Sequence, residues 1–516
     1  MKSASPTARR WLLFFLTSSP DHASERDPER NILCVFEHRK LRNDASAGRA
    51  VEKHQPPSVV LAALAALSIT AHAHAEGSVT PSPLTQSPAV ASASSASSAS
   101  SSAPSASAAT PFNALGPWVV SGDVPLPSWA KSVRVLRADE PVFAGPSKNA
   151  KKRGSAGREA RLPVYAARQG PGCDGRYINV GPFAWICDGA LELSGNDPIA
   201  AGLHTLGDPK NGLPYRYYFV GPDGSQAYKK LESVDIGEPA MQLDPGFAVA
   251  IIEEKNFDGG LYGRTSHNLW VPMRDLGPSR PSLFTGETLP GVHTLPTSGA
   301  LPFAWVLPEH ARTFKSPGGV YTGQSKSRFD LVRVLAESPD KRFLRIGDSQ
   351  WIAAKDVRRP SVVDPPPEVK ADIGEKWIDI DLPSQTLVAY EGKKPIFATL
   401  VSTGKGKQKT ANATPVGTHR IWIKLLATDM DNLEDENASR YYRMESVPYP
   451  QFFSKGVGLH AAYWHRSFGN VRSHGCVNLA PLDAQRLFWW TGPRLPAGWT
   501  AVMPTPTELG TVIRVR

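Results

Sequence analysis

Short runs of alternating apolar and polar residues, separated by glycine and proline, follow one another from about residue 115. A period of two is typical of strands, and Trp377-Ile-Asp-Ile-Asp-Leu382 predicts a strand with one exposed face. The segment from Pro481 to Trp490 instead predicts a helix, because proline suits a first helical turn and Gly492 provides an end. We therefore predict a mainly β protein.

One aromatic spacing recurs three times between residues 115 and 362. An aromatic residue is followed eight positions later by tryptophan at Tyr177 and Trp185, at Tyr262 and Trp270, and at Phe343 and Trp351. Each pair predicts two strands joined by a tight turn, and we assign β modules to residues 115–200, 201–290 and 300–362. The first and third modules resemble bacterial SH3-like barrels. The alternative is that these aromatics are simply core residues of an all-β region.

Residues 1–76 have the pattern of a leader. Lys53 precedes an apolar run, Val59 to Ile69, which is too short to span a bilayer, and small residues suited to cleavage follow at Ala71 to Ala75. We predict a signal peptide with a true translation start near Val51. The expected location is the periplasm or cell envelope, with membrane contact only through the signal peptide.

Two further segments predict linkers. Residues 77–112 are almost all Ser, Ala, Pro and Thr, which cannot bury enough apolar area to fold. Residues 363–372 contain Asp364-Pro-Pro-Pro367, which predicts a stiff, extended connection.

Charge and cysteine content narrow the functional classes. The net charge of +10 is spread along the chain, which indicates solubility or, alternatively, attraction to an anionic cell-wall polymer. No nucleic-acid-binding motif is present.

If the chain is exported, we expect a disulfide between Cys173 and Cys187, which leaves Cys476 as a free thiol. The alternative is that Cys173 and Cys187 are ordinary buried thiols.

The residues around Cys476 carry the candidate chemistry. Cys476 follows Ser473-His474-Gly475, and His460 lies upstream. A cysteine attacks carbonyls as the thiolate, and a nearby imidazole is the usual means of forming one at neutral pH. Gly475 has no Cβ, so backbone N–H groups there can approach a reacting oxygen closely.

This segment resembles the signature of the L,D-transpeptidase (YkuD-like) family. The resemblance rests on His460, a spacer, Ser473-His474-Gly475-Cys476, an apolar residue and Asn478. Thr414-Pro-Val-Gly-Thr418 is similar to a family turn that precedes a strand. The resemblance covers residues 373–505 and implies a β-rich catalytic domain after the SH3-like modules. It also implies peptidoglycan stem peptides as partners, with no cofactor and no metal.

The resemblance implies a reaction and a role for each motif residue. Cys476 forms an acyl-thioester with a tetrapeptide stem and releases D-alanine, and an amine then takes the acyl group to make a 3→3 cross-link. His460 is the general base and His474 shapes the pocket. The N–H groups of His474, Gly475 and Cys476 form the oxyanion hole.

Other residues are expected to support the reaction. Ser473 and Asn478 hold the loop, and Asn478 also faces the substrate. A lid is expected within residues 425–455, where Tyr442 and Met444 are candidates for substrate binding. Ala461 stands where the family often has Gly or Ser, but a backbone carbonyl there can still orient the imidazole.

Several alternatives stay open. Zinc could bind His460, His465, His474 and Cys476, although Gly475 is then unexplained; we prefer to interpret His465 as an exposed loop histidine. The same thioester chemistry also fits an L,D-carboxypeptidase or an enzyme that attaches a protein to peptidoglycan. A non-catalytic wall-binding protein, acting through the SH3-like modules, is the last alternative.

Overall fold

The computed structural model describes residues 123–199, 209–289, 296, 298–410, 412–433 and 441–516. Strands dominate these residues, which confirms the predicted mainly β class. The predicted leader, its signal peptide and the linker at 77–112 lie outside the described residues. Within the described ranges, no helix is both long and apolar enough to cross a membrane.

The first module consists of short antiparallel strands. They are β1 (Ser132–Val135), β2 (Glu140–Phe143), β3 (Lys152–Ala156), β4 (Arg161–Pro163), β5 (Ala166–Arg168), β6 (Tyr177–Gly181), β7 (Ala184–Cys187) and β8 (Leu191–Ser194). The hairpin predicted from Tyr177 and Trp185 is present, since β6 pairs with β7. A disulfide of 2.07 Å joins Cys173 to Cys187 at the end of this hairpin.

The second module repeats the hairpin and adds one short helix. Its elements are β9 (Arg216–Val220), β10 (Ser225–Ala227), α1 (Glu232–Asp235), β11 (Met241–Leu243), β12 (Ala248–Phe257), β13 (Gly260–Thr265), β14 (Trp270–Pro272) and β15 (Leu276–Pro278). β13 pairs with β14, which is the hairpin predicted from Tyr262 and Trp270. β12 lies between β9 and β13.

The third module follows a short strand, β16 (Glu287–Thr288). Its strands are β17 (Gly299–Ala300), β18 (Phe303–Val306), β19 (His310–Phe314), β20 (Tyr321–Ser327), β21 (Leu331–Arg333), β22 (Ala336–Glu337), β23 (Phe343–Gly347), β24 (Gln350–Ala353), β25 (Val357–Arg358) and β26 (Ser361–Val362). β23 pairs with β24, as the third aromatic pair predicts. The three hairpins are thus confirmed, while the SH3-like character of the modules stays a prediction.

The C-terminal part contains the longest strands and the predicted helix. Its elements are β27 (Lys376–Asp381), β28 (Thr386–Glu391), β29 (Lys394–Leu400), β30 (Gly417–Arg420), β31 (Ile423–Leu425), β32 (Ala427–Asp431), β33 (Arg443–Pro448), β34 (Gln451–Ser454), β35 (Val457–Ala461), β36 (Val477–Leu479), α2 (Pro481–Trp490), β37 (Trp499–Val502) and β38 (Val512–Val515). One sheet has the order β16-β29-β28-β27-β38-β30. β38 lies beyond residue 505, where we expected the domain to end.

The prediction of an exposed face on β27 is wrong. β27 is a central strand between β28 and β38, and Asp379 is only 1% exposed. Its carboxylate accepts hydrogen bonds from Nε of Arg514 at 2.6 Å and Nε of Arg516 at 2.9 Å. An acidic residue can therefore lie inside the sheet because two cations compensate its burial.

The modules and the C-terminal part share sheets and cores. A ten-stranded sheet runs β36-β35-β34-β31-β37-β3-β2-β7-β6-β5, so β3 of the first module pairs with β37. A second sheet joins the second module to β33 and β32. One apolar core includes Val142 and Ile178 of the first module together with Ile378, Leu459 and Val502. The described residues from 123 onward accordingly belong to one compact unit.

Candidate active site

Two neighbouring parallel strands position His460 and Cys476. In the pairing of β35 with β36, His460 lies opposite Asn478. Paired residues share a face of a sheet, and so do residues two positions apart on one strand. Cys476 immediately precedes β36, so its side chain lies on the face that carries His460.

The imidazole of His460 is buried and has a fixed tautomer. Its Nδ1–H donates to the carbonyl oxygen of Ala461 at 3.0 Å, which leaves Nε2 as the acceptor. Trp464 stacks on the ring, with centroids 5.7 Å apart. Burial lowers the pKa of His460 to about 4 because water no longer solvates the imidazolium. The backbone carbonyl thus orients the imidazole although residue 461 is alanine.

The thiol of Cys476 is half-buried. Its Sγ lies 3.7 Å from the carbonyl oxygen of Gly456. Burial raises the pKa of the Cys476 thiol, and a hydrogen bond from the backbone of Gly458 opposes this effect only partly. Cys476 and His460 are therefore both neutral at pH 7, and the thiol proton has to move when the carbonyl is attacked.

Hydrogen bonds hold the loop that carries Cys476. Ser473 Oγ donates to the carbonyl oxygen of Cys476, and the Gly475 N–H donates to Ser473 Oγ at 3.1 Å. Thr414 Oγ1 donates to the Gly475 carbonyl at 2.6 Å and accepts from the Gly404 N–H at 2.9 Å. The threonine of the predicted Thr-Pro turn therefore braces the catalytic loop.

This arrangement corrects one expected donor of the oxyanion hole. The Gly475 N–H already has Ser473 Oγ as its acceptor, so it is not free to stabilise a reacting oxygen. The predicted oxyanion hole then depends on the N–H groups of His474 and Cys476. At Gly475, φ is +125°, a conformation that favours glycine and allows the chain to turn into Cys476.

The interpretation of His465 as an exposed loop histidine is wrong. His465 is half-buried, its Nδ1 accepts from the Ser467 N–H at 3.2 Å, and its Nε2 lies 3.0 Å from the side-chain amide of Asn478. Burial and the nearby positive charge of Arg472 lower the pKa of His465 to about 4. Asn478 is only 4% exposed, so its amide supports the site, and its contact with substrate stays a prediction.

The two predicted lid residues lie in different surroundings. The ring of Tyr442 stacks on His474 at a centroid distance of 5.7 Å, and burial raises the pKa of Tyr442, with smaller contributions from Asp431 and from Cys476 whenever its thiol ionises. Tyr442 therefore lies close to the nucleophile. Met444 lies on β33 opposite Ala248 of the second module and packs in the apolar cluster of Tyr217 and Tyr463.

Sequence reasoning missed a group of exposed basic residues on the loop that carries Cys476 and on the segments beside it, which we call the basic rim. Its exposed members are Lys405, Lys407, Lys409, Lys455 and Arg472. The rim adjoins the nucleophile, since the Lys405 N–H donates to the Ser473 carbonyl at 3.0 Å. No carboxylate among the described residues forms an ion pair with the rim. The rim could have been predicted in part from one basic run in the sequence, Gly404-Lys-Gly-Lys-Gln-Lys409.

The geometry of the described residues does not gather the proposed zinc ligands. Within those ranges, the group of three metal-ligand atoms that lie within 4.8 Å of one another belongs to Cys173, Cys187 and Asp188. Both of these sulfur atoms are committed to the disulfide. His460, His474 and Cys476 do not form such a group.

Comparisons with known proteins agree with this site. Residues 375–513 match the family model of the YkuD L,D-transpeptidase catalytic domain. No curated protein matches the chain significantly.

Solved structures of L,D-transpeptidases are also similar to part of the chain. The catalytic domain from Enterococcus faecium is 23% identical, and the match covers 28% of this chain and 98% of that one, with a TM-score of 0.21. An enzyme from Mycobacterium smegmatis is 20% identical over 36% of this chain and 82% of that one, with a TM-score of 0.22. A longer Enterococcus faecium structure, 23% identical with a TM-score of 0.21, is matched over 50% of its length and 28% of this chain. The match to the family model identifies residues 375–513 as an L,D-transpeptidase catalytic domain of the YkuD family.

Proposed function

We propose that this protein is an exported cysteine L,D-transpeptidase that cross-links peptidoglycan tetrapeptide stems. The observation that carries the proposal is the fixed tautomer of His460, whose Nδ1–H donates to Ala461. Its Nε2 is thereby available as a base on the face of the sheet that carries Cys476. A protein that only bound the cell wall would have no use for this pairing.

The first half of the reaction acylates the enzyme. His460 Nε2 takes the thiol proton as Cys476 Sγ attacks the carbonyl between the third stem residue and D-alanine. The N–H groups of His474 and Cys476 stabilise the oxyanion that forms. The C–N bond then breaks, His460 returns the proton to the D-alanine nitrogen, and D-alanine leaves behind a thioester on Cys476.

The second half of the reaction transfers the acyl group. An amine of a neighbouring stem attacks the thioester carbonyl and gives a proton to His460 Nε2. The C–S bond breaks, the acceptor keeps the acyl group as a 3→3 cross-link, and His460 returns the proton to Cys476 Sγ. If water attacked the thioester instead of the amine, the enzyme would be an L,D-carboxypeptidase. If the lysine of another protein attacked the thioester, that protein would become attached to peptidoglycan.

The charge around the site supports a peptidoglycan substrate. Tetrapeptide stems carry carboxylates, and the basic rim presents exposed cations next to the loop that holds Cys476. Cations at the mouth of a site attract an anionic substrate and raise its local concentration. Export is supported by the disulfide between Cys173 and Cys187, because structural disulfides persist in oxidising compartments.

The decisive experiment measures the intact mass after incubation with a tetrapeptide stem, for the wild type beside Cys476→Ala. We expect an acyl adduct with loss of D-alanine on the wild type alone, and circular dichroism should show that both proteins are folded. Product analysis with and without an acceptor stem then separates cross-linking from hydrolysis. An adduct on Cys476→Ala, or no adduct on the folded wild type, would overturn the proposal.

A further inference from the structure

The second module contributes a strand contact to the lid region of the catalytic domain. We call β32 and β33 the lid hairpin. β33 runs parallel to β12, with Ala248 opposite Met444, so the lid hairpin extends the sheet of the second module. Tyr442, which lies next to β33, stacks on His474 beside the nucleophile. The edge of the second module therefore continues directly into one wall of the active site.

A polar cluster joins the turn after β13 to both strands of the lid hairpin. His267 Nε2 lies 2.7 Å from Asp429 Oδ2 of β32, and the His267 N–H donates to Glu445 Oε1 of β33 at 3.2 Å. Ser266 Oγ also donates to Glu445 Oε1. Glu445 is only 4% exposed, and a buried carboxylate that loses its donors is strongly destabilising. These contacts therefore hold the lid hairpin in one position.

The electrostatics of Asp429 also favour a fixed position of the lid hairpin. Burial acts to raise the pKa of the Asp429 carboxyl, but the hydrogen bond and charge of His267, with help from the Ser446 N–H and Arg443, lower it to about 2. Asp429 is thus a carboxylate at every pH at which a cell-wall enzyme works, and its contact with His267 persists.

The backbone of Ser446 is held by one contact within the lid hairpin and one from the second module. Its φ of +48° is unfavourable for a non-glycine residue and persists only where neighbours enforce it. The Ser446 N–H donates to Asp429 Oδ1 at 3.0 Å, and its carbonyl accepts from the hydroxyl of Tyr217 at 2.7 Å. Tyr217 belongs to β9 of the second module.

Tyr217 also begins a series of ring contacts that ends at the general base. Its ring stacks on Tyr463 at 4.0 Å, and Tyr463 packs edge-to-face on Trp464 at 5.0 Å. Trp464 in turn stacks on His460. Interiors are closely packed, so the removal of one ring in such a series shifts the next.

We infer that the second module is part of the catalytic apparatus, in which Tyr217 and His267 are positioning residues. They fix the lid hairpin with Tyr442 on one side of Cys476, and Tyr217 supports Trp464 and His460 on the other. This inference rests on the proposed function, because it assigns these contacts to the acylation of Cys476.

The test compares Tyr217→Phe and His267→Gln with Tyr228→Phe in the full-length protein. Tyr228 is a matched control, because it is also buried in the second module and its hydroxyl bonds only within that module, to Gln226 at 2.8 Å. We expect kcat/KM for the tetrapeptide to fall about ten- to hundredfold in the first two variants, since a small displacement of a reacting group has effects of this size. Alkylation of Cys476 by iodoacetamide should stay within about twofold of the wild type in all three, because it does not need the lid hairpin and because Tyr217→Phe keeps the ring that stacks on Tyr463 and removes only the hydroxyl.

Hydrogen exchange supplies a readout that does not depend on activity. Amides of residues 443–448 should exchange faster in Tyr217→Phe and His267→Gln, and at the wild-type rate in Tyr228→Phe. Equal acylation in all variants, or unchanged exchange in the lid hairpin, would overturn the inference. If the wild type forms no adduct, the proposed function fails, and the exchange measurement still decides whether the second module holds the lid hairpin.

Discussion

The Nδ1–H of His460 donates to the carbonyl oxygen of Ala461, the next residue along the same strand. Both residues lie on β35 and His460 is only 2% exposed, so the orientation of the base is built into the strand. No second side chain is required to fix the tautomer.

Replacement of His460 by glutamine should abolish most of the acylation. Glutamine fills similar space but cannot accept the thiol proton, and the loss of a general base typically costs at least about a hundredfold in rate. The measurement is the rate of adduct formation by mass spectrometry. His310→Gln, an exposed histidine of the third module, is the control and should acylate normally; equal rates for His460→Gln and the wild type would rule out His460 as the base.

Burial of neutral His460 should make stability fall in mild acid. The folded-state pKa of about 4 lies below the usual 6.5, so the unfolded chain binds a proton as the pH falls below 6.5 and the folded chain does not until about 4. The stabilising effect is therefore complete above pH 6.5 and is lost between pH 6.5 and 4, by up to about 3 kcal/mol. Urea unfolding at pH 7 and pH 5 should show a smaller loss in His460→Gln than in the wild type.

Charge reversal in the basic rim should weaken the use of anionic stems. We expect Lys407→Glu with Lys409→Glu to raise KM for the tetrapeptide roughly tenfold at low salt, because the cations that attract its carboxylates become anions. The effect should shrink in 1 M salt, where charges are screened within about 3 Å. Lys341→Glu, an exposed lysine outside the rim, should leave KM unchanged. A rise in KM that was equally large in 1 M salt would contradict an electrostatic role for the basic rim.

Removal of the disulfide should lower stability without changing the chemistry. The bond closes a loop with a sequence separation of 14, for which the chain-entropy model gives about 3 kcal/mol. We expect the double variant Cys173→Ser and Cys187→Ser to unfold at lower urea concentration and to form the same adduct on Cys476. A lower adduct yield at 25 °C from the folded double variant would show that the first module also affects catalysis.

The sequence predicted the parts of the site that lie close together along the chain. His460, the Ser473 to Cys476 loop and the Thr414 turn form short motifs, and the three hairpins follow from aromatic spacing and local turns. Helix α2 has the predicted bounds, Pro481–Trp490. In each case, the information is local to a few residues.

Contacts between distant segments could not be predicted in this way. The local pattern does not predict that Tyr217 stacks on Tyr463 or that Ala248 pairs with Met444. Periodicity indicates which face of a strand is buried, but it does not indicate which distant residues cover that face. The same limit explains the errors for β27 and His465. A polar residue in an alternating strand is predicted to be exposed unless its distant partners, such as Arg514 for Asp379, are known.

The pairing of β3 with β37 has a practical consequence. A fragment trimmed to residues 375–513 loses β3 and β12, and with them the neighbours of β37 and β33. Both strands then present bare N–H and C=O groups along one side, the kind of open edge at which chains join one another and aggregate. The excised domain is thus expected to aggregate more readily than the full-length protein. The difference in solubility between the two would measure how far the preceding modules protect these strand edges.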